Sequence, residues 1–315
     1  MTEPQPTELQ PTEPRPTEPQ PTEPRPTELR LTEPRPTEPL PRTPLDAAGL
    51  RAALVRPGGL WRDVEVTAVT GSTNADLLAR AARGEPEGAV LAAEQQTAGR
   101  GRLGRSWVSP PRAALTFSVL LRPAAVPRAS LGWLPLLAGV AVTAAVRTTA
   151  AIDAGLKWPN DVLAGRAAPG AAPGKLGGIL AEAAGDAVVV GIGLNVSAGR
   201  AELPPPGPGA LAATSLYLEQ ARSLDRGELL AAILAGLERR YLTWCRFSGD
   251  TERSGLRAEY TRLCATLGRP IRAELPSGRV LDGLAAGIDA GGRLLVSMPP
   301  QTELPVAAGD IVHLR

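Results

Sequence analysis

Between Glu94 and Trp107 the chain reads E-Q-Q-T-A-G-R-G-R-L-G-R-S-W, setting Arg100, Arg102 and Arg105 among Gly99, Gly101 and Gly104. Glycine opens positive φ and exposes backbone N–H groups, while guanidinium forks donate paired hydrogen bonds to phosphate or carboxylate and stay charged when water is excluded. Such a stretch can wrap an anion, and with few internal contacts it is expected to order around one. Taken alone it also suits a solvated basic loop or an arginine-rich contact with nucleic acid.

Three further segments carry chemistry. In Lys157-Trp158-Pro159-Asn160-Asp161, the proline confines the residue before it to extended geometry, so a lysine, an amide and a carboxylate gather at a strand end. That set handles phosphate and a magnesium ion, or makes only a turn. Lys175-Leu176-Gly177-Gly178 places a lysine and two glycines at a strand entrance, and the strand Val188–Leu194 carries Gly191 and Gly193 before closing on Asn195. Glycine within a strand marks close approach by a ligand or another backbone, so two such neighbouring strands suggest a ligand lying across a sheet. Gly71-Ser72-Thr73-Asn74 precedes a helical run over 75–83. Thr73 and Asp76 have capping-box spacing, and the same helix start could receive a ligand through its free N–H groups.

The elements that position these groups follow from periodicity. Asp46 is placed to cap a short helix ending at Leu54, alternation over 61–69 gives a strand, and apolar strands over 89–93 and 115–121 flank the Arg/Gly stretch. A long buried helix is expected over 130–149 and helical pattern over 225–267. Beyond 268, short strands (271–275, 279–288, 294–298, 311–314) separated by Pro/Gly turns read as a small β-barrel. Residues 1–40 repeat P-T-E-P-[RQ], favour polyproline II and cannot bury a core. The domain reading is therefore a disordered Pro/Thr/Glu-rich tail over 1–45, a larger domain over 46–267 and a small C-terminal domain over 268–315. An Ala/Gly/Pro-rich insertion spans 164–174.

Composition narrows the function classes. The net charge is +2, and residues 1–45 hold five Arg and eight Glu, leaving the remainder at about +5, too little for a dedicated nucleic-acid binder. Cys245 and Cys264 are the only cysteines and His313 the only histidine, which excludes a disulfide framework, a cysteine zinc cluster and histidine triads. An enzyme of this composition would work with Arg, Lys and carboxylates. The most apolar stretch, 131–146, is shorter than the ~20 residues of a membrane span, and a cytoplasmic location with no membrane partner is expected.

In order and spacing, G-S-T-N (Gly71 to Asn74), the Glu94–Trp107 stretch, K-W-P-N-D, K-L-G-G-I-L (Lys175 to Leu180) and G-I-G-L-N (Gly191 to Asn195) resemble the biotin protein ligases over roughly residues 46–315. The resemblance implies an α+β fold: a class II synthetase-like catalytic domain, mixed sheet backed by helices, with a C-terminal SH3-like β-barrel. It implies an ATP-dependent ligase that makes biotinyl-5′-adenylate and transfers biotin to a lysine of a biotin carboxyl carrier protein or domain, with ATP, biotin and Mg2+. The motif match assigns Ser72, Thr73, Asn74, Gln96, Arg100, Gly101, Arg102, Lys175, Gly178 and Gly193 to biotin. Arg102, Arg105, Trp107, Lys157, Asn160, Lys175 and Asn195 fall to the nucleotide, Asp161 to the metal, and Lys175 with Arg102 to catalysis. Gly177 is grouped with the glycines that leave room for ligand. A proline repeat stands where some relatives carry a helix-turn-helix domain, so no DNA partner is expected. A lipoate-protein ligase and a non-catalytic biotin sensor are the rival readings.

Overall fold

The structure, a computed structural model, describes residues 1–2, 41–165, 172–207, 210–275, 277–300, 302–307 and 309–314. The tail repeat over 3–40 and most of the 164–174 insertion lie outside the described residues. Leu40–Arg315 is one compact unit.

Seven strands form one mixed sheet: β1 (Asp63–Thr67), β2 (Ala89–Ala93), β3 (Ala114–Leu121), β4 (Gly155–Lys157), β5 (Asp161–Ala164), β6 (Gly174–Ala184) and β7 (Ala187–Asn195). Their order is β1-β2-β3-β7-β6-β5-β4, with β1 and β2 parallel and every other pair antiparallel. Successive side chains point to opposite faces. β3 accordingly sends Leu115, Phe117, Val119 and Leu121 into the main core while Leu120 joins a smaller cluster with Leu77, Leu91 and Val189. Helices α1 (Ala47–Leu54), α3 (Trp133–Ala145), α4 (Arg226–Arg246) and α5 (Leu256–Leu263) contribute to the main core, and α2 (Thr73–Ala82) covers the opposite face.

Asp46 caps α1 by accepting from the Gly49 N–H at 3.0 Å. At α2 the cap is Ser72, not Thr73, and Asp76 instead accepts from the Thr70 hydroxyl at 2.5 Å. The helix therefore starts one residue earlier than the capping-box spacing suggests, which turns the Thr73 and Asn74 side chains into the protein. The expected 130–149 helix is α3 followed by a π-helical turn over Val146–Ala150; this run has the length and hydropathy of a membrane span, but 72% of it is buried against the core. Helical periodicity over 225–267 is broken between α4 and α5, where Ser248, Gly249 and Gly255 take positive φ.

The C-terminal strands β8 (Pro270–Glu274), β9 (Val280–Ile288), β10 (Leu294–Met298), β11 (Thr302–Val306) and β12 (Asp310–His313) form an antiparallel sheet ordered β11-β10-β9-β8-β12. β11, carrying Pro305, escaped the sequence pattern because proline lowers strand propensity. Ile271, Leu281, Val296 and Ile311 belong to the same continuous core as the large sheet. Tryptophans join the two sheets further: Trp133 Nε1 donates to Asp289 O (3.0 Å) and Trp158 Nε1 to Gly292 O (3.1 Å).

Residues 42–45 are part of the fold, unlike the tail reading that ran to 45. The Arg42 guanidinium pairs with Glu202 (2.7 Å), Thr43 O accepts from Arg226 (2.7 Å), and the Leu45 N–H donates to Glu94 (2.6 Å). Arg226 and Glu94 are themselves a buried ion pair at 2.7 Å.

Candidate active site

Strand register builds the floor of a cleft of about 450 Å³. On the α2 face, pairing aligns Ser118, Gly191 and Leu180 in one row and Thr116, Gly193, Gly178 and Asp161 in the next. A register shift opposite Val162/Leu163 leaves Leu176 as an extra residue, so Lys175 falls on the same face as Gly178 despite their odd spacing. A Cβ built at Gly178 would lie 3.8 Å from Lys175 Nζ.

Glycine is required on this floor because other side chains lie flat upon it. A Cβ at Gly191 would stand 2.1 Å from Asn74 Oδ1, and one at Gly193 2.5 Å from the Trp107 ring. Gly193 therefore seats the Trp107 indole, where the sequence reading had it leave room for ligand. Gly177 departs from that reading too: its Cβ would meet the Gly193 carbonyl at 2.6 Å, so it serves backbone packing rather than the cleft. Trp107 Nε1 is buried without a hydrogen-bond partner.

The Arg/Gly stretch forms a small hairpin rather than an open loop. Arg100 and Ser106 pair across it, Gly101 N–H donates to Arg105 O (2.6 Å), and Leu103 and Gly104 turn the chain at φ 55° and 73°. Two successive positive φ values with an Arg105 N–H to Arg102 O bond (3.2 Å) have the geometry of a type I′ turn. The expectation of few internal contacts overlooked this closure.

Two polar groupings meet in the cleft. In the first, Gln96 Oε1 accepts from the Thr73 N–H (2.8 Å) and lies 3.0 Å from its hydroxyl, which is 2.7 Å from Ser118 Oγ. Ser118 contacts Asn74 Oδ1 (2.6 Å), and Asn74 Nδ2 donates to Glu182 (2.7 Å) and Leu180 O (3.2 Å). The second is ionic. Lys175 Nζ is 2.6 Å from Asp161 Oδ1, Arg105 pairs with Asp310 of β12, and Arg102 NH1 is 3.5 Å from Asn160 Oδ1. Burial pushes the Lys157 ammonium below its ordinary range, with Asp161 opposing and Lys175 reinforcing. Burial likewise lowers Arg102, against the pull of Asp310 and Asp161. A cluster of cations that is costly to keep charged and only partly matched by carboxylates gains from an incoming polyanion.

Ser72, Thr73, Asn74, Gln96, Arg100, Gly101, Arg102, Arg105, Trp107, Lys157, Asn160, Asp161, Lys175, Gly178 and Gly193 all line this cleft. Asn195 does not: it is buried at the end of β7, and its amide donates to Thr214 O at 2.9 Å. Sequence reasoning missed Ser118, Glu182, Glu274 and Asp310. Polar Thr116 and Ser118 alternating within an apolar strand were a usable signal for the first, whereas Asp310 reaches the cleft only through the packing of the two sheets.

Comparison with known proteins shows what the chain is similar to. Residues 66–197 match the biotin/lipoate A/B protein ligase family, and residues 266–314 match the biotin protein ligase C-terminal domain. The chain is 44% identical over 269 residues to the biotin–[acetyl-CoA-carboxylase] ligase of Mycobacterium tuberculosis, covering 84% of this chain and 94% of that one. The chain belongs to the biotin protein ligase family. It is also 33% identical to the bifunctional ligase/repressor BirA of Escherichia coli, across 74% of this chain and 68% of that protein. Its fold matches a biotin protein ligase from Aquifex aeolicus, solved in complex with biotin and ATP, at a TM-score of 0.64 and 26% identity over 81% of this chain and all of that one. Family membership agrees with the α+β architecture and the C-terminal antiparallel sheet described above.

Proposed function

We propose that this cleft makes biotinyl-5′-adenylate from biotin and ATP and passes the biotinyl group to a lysine of a carboxyl carrier protein or domain. The observation that carries the reading is the adjacency, on one glycine floor, of an uncharged hydrogen-bonding group around Thr73 and a cationic group around Lys175. Biotin joins a neutral ureido ring to a carboxylate by an aliphatic chain, so it needs both kinds of surface a few ångströms apart.

In the first step a carboxylate oxygen of biotin attacks the α-phosphorus of ATP, the bond to the β-phosphate oxygen breaks, and pyrophosphate leaves. Lys175 stands where it can neutralise charge on the carboxylate and the α-phosphate together, and Arg102 and Arg105 can hold the phosphates. Trp107, Lys157 and Asn160 are assigned to the nucleotide. In the second step the carrier lysine amine attacks the acyl carbon, AMP leaves with the acyl–oxygen bond pair, and the amine loses a proton.

Among the described residues no group of three or more Asp, Glu, His or Cys could hold a metal ion. Asp161 alone fits a magnesium ion that arrives with ATP, since magnesium is commonly held by one or two carboxylates plus substrate phosphates. The ion would neutralise phosphate charge. We infer a cytoplasmic enzyme, in keeping with two free cysteines, and no repressor role, since the repeat in residues 1–40 has no helical pattern for gripping DNA. The test is incubation with ATP, magnesium, biotin and an apo carrier domain, followed by mass measurement. The expected result is one biotinyl group per carrier; an unmodified carrier alongside a lipoylated one in the parallel lipoate reaction would overturn the reading.

A further inference from the structure

The hydrogen-bond group around Thr73 has a direction that its atoms alone decide. Asn74 faces Leu180 O and a Glu182 carboxylate oxygen with one end of its amide, at 3.2 and 2.7 Å. Both partners only accept, so that end is the NH2 and the carbonyl end faces Ser118. Ser118 has one proton, and at 2.6 Å from Asn74 Oδ1 it must donate it there. The 2.7 Å contact between Ser118 and Thr73 is then a hydrogen bond only if Thr73 donates. The second acceptor within reach of the Thr73 hydroxyl, Gln96 Oε1 at 3.0 Å, is a protein group as well. Either way the Thr73 hydroxyl spends its proton on the protein, with Ser118 the nearer acceptor, and offers a ligand only lone pairs.

We propose that Glu182 and Ser118 are positioning residues that fix Thr73 as a hydrogen-bond acceptor, so that the cleft demands an N–H donor from its ligand. This rests on the reading of the cleft as a biotin site and specifies how the ureido ring is chosen. Glu182 and Ser118 stand behind the residues that border the cleft and act through Asn74 and Thr73. The chain is held rigidly, because Gly191 alone admits the Asn74 amide, Ser118 is fully buried, and Asn74 and Thr73 are nearly so. Gln96 completes the pattern: its oxygen is held by the Thr73 N–H at 2.8 Å, which leaves its NH2 end over Gly99. An acceptor beside a donor matches the N–H and C=O edge of a cyclic urea.

The test compares equilibrium binding of biotin with that of the two cyclic carbamate analogues in which one ureido N–H is replaced by oxygen. The full-length wild-type protein should reject the analogue whose oxygen faces Thr73 by roughly 100-fold, since a hydrogen bond is replaced by facing lone pairs. In Ser118→Ala the Thr73 hydroxyl loses its shorter acceptor and keeps only Gln96 Oε1 at 3.0 Å, from which it can turn to donate to a ligand, so the preference should fall to within about tenfold. Glu182→Leu should act in the same direction by leaving the Asn74 amide only its longer 3.2 Å bond to Leu180 O, while Glu182→Gln, whose carbonyl still accepts from Asn74, should keep the wild-type ratio. A merely structural role would weaken biotin and analogue alike. Unchanged ratios in Ser118→Ala and Glu182→Leu, with biotin still bound, would overturn the relay alone. Failure of the wild-type protein to bind biotin would overturn the reading of the site and the relay with it.

Discussion

Lys175→Met is the sharpest test of how charge is handled in the cleft. The ammonium lies 2.6 Å from Asp161, with the two side chains 32% and 18% exposed, so its loss removes a donor and uncovers an anion. Removing a preorganised donor to developing charge costs about 2.7–4 kcal/mol, or ~10²–10³ in kcat. The uncovered Asp161 then faces incoming phosphate; two unit charges ~6 Å apart at an effective dielectric of ~20 repel by about 3 kcal/mol, worth up to another ~100-fold. Adenylate formation, followed as pyrophosphate release at saturating biotin and ATP, should fall by ~10³–10⁵. Biotin affinity measured by calorimetry should change far less. Adding Asp161→Asn to Lys175→Met removes the repulsion and should recover ~10- to 100-fold. A double variant no better than Lys175→Met would show that repulsion is not the penalty and that Asp161 acts through magnesium instead. Adenylate formation within tenfold of wild type in Lys175→Met would refute the catalytic assignment and pass it to the half-buried Lys157.

Arg102→Gly should make adenylate but release it, because the arginine supplies a charge-assisted bond of about 1.5–3 kcal/mol to the phosphate side; biotin attached to an unrelated lysine-rich protein is the readout, and labelling confined to the carrier would count against it. Deleting residues 1–40 should leave melting temperature and rate near wild type, whereas deleting 1–45 also removes the Arg42, Thr43 and Leu45 bonds around the buried Glu94–Arg226 pair and should lower the melting temperature. Equal melting of the two truncations would show those bonds contribute nothing. Burial, with help from Lys157 and Arg269, lowers the His313 pKa from 6.5 to about 4, so the folded state resists protonation. Its stabilising contribution is complete above pH 6.5 and is lost as pH falls toward 4, where the unfolded chain binds the extra proton. His313→Gln should flatten that part of the melting profile relative to wild type, and parallel profiles would exclude a role for His313.

What the sequence disclosed about the site, and what it withheld, depends on how far apart the cooperating residues are. The Lys175, Asp161 and Arg/Gly motifs were legible because each packs its function into a few consecutive residues, and strand pairing needs only register to bring Asp161 beside Gly178. The glycines were legible as close-approach positions, but not what approaches: nothing local in G-I-G-L-N says that Asn74 lies on Gly191 and Trp107 on Gly193. Asn195 misled for the mirror-image reason, since it shares a motif with Gly193 yet lies at the end of β7, where its amide bonds Thr214 instead of facing the cleft. Asp310 was beyond reach altogether, because its partner Arg105 is 205 positions away and only the shared core of the two sheets brings them together. The same logic locates the residues that set specificity. Ser118 and Glu182 do not line the cleft, carry no motif of their own, and enter this proposal through the direction of protons passed along Asn74 and Thr73. A ligase that must choose a neutral ring by hydrogen-bond polarity therefore keeps part of its selectivity one layer behind the residues that a motif can name.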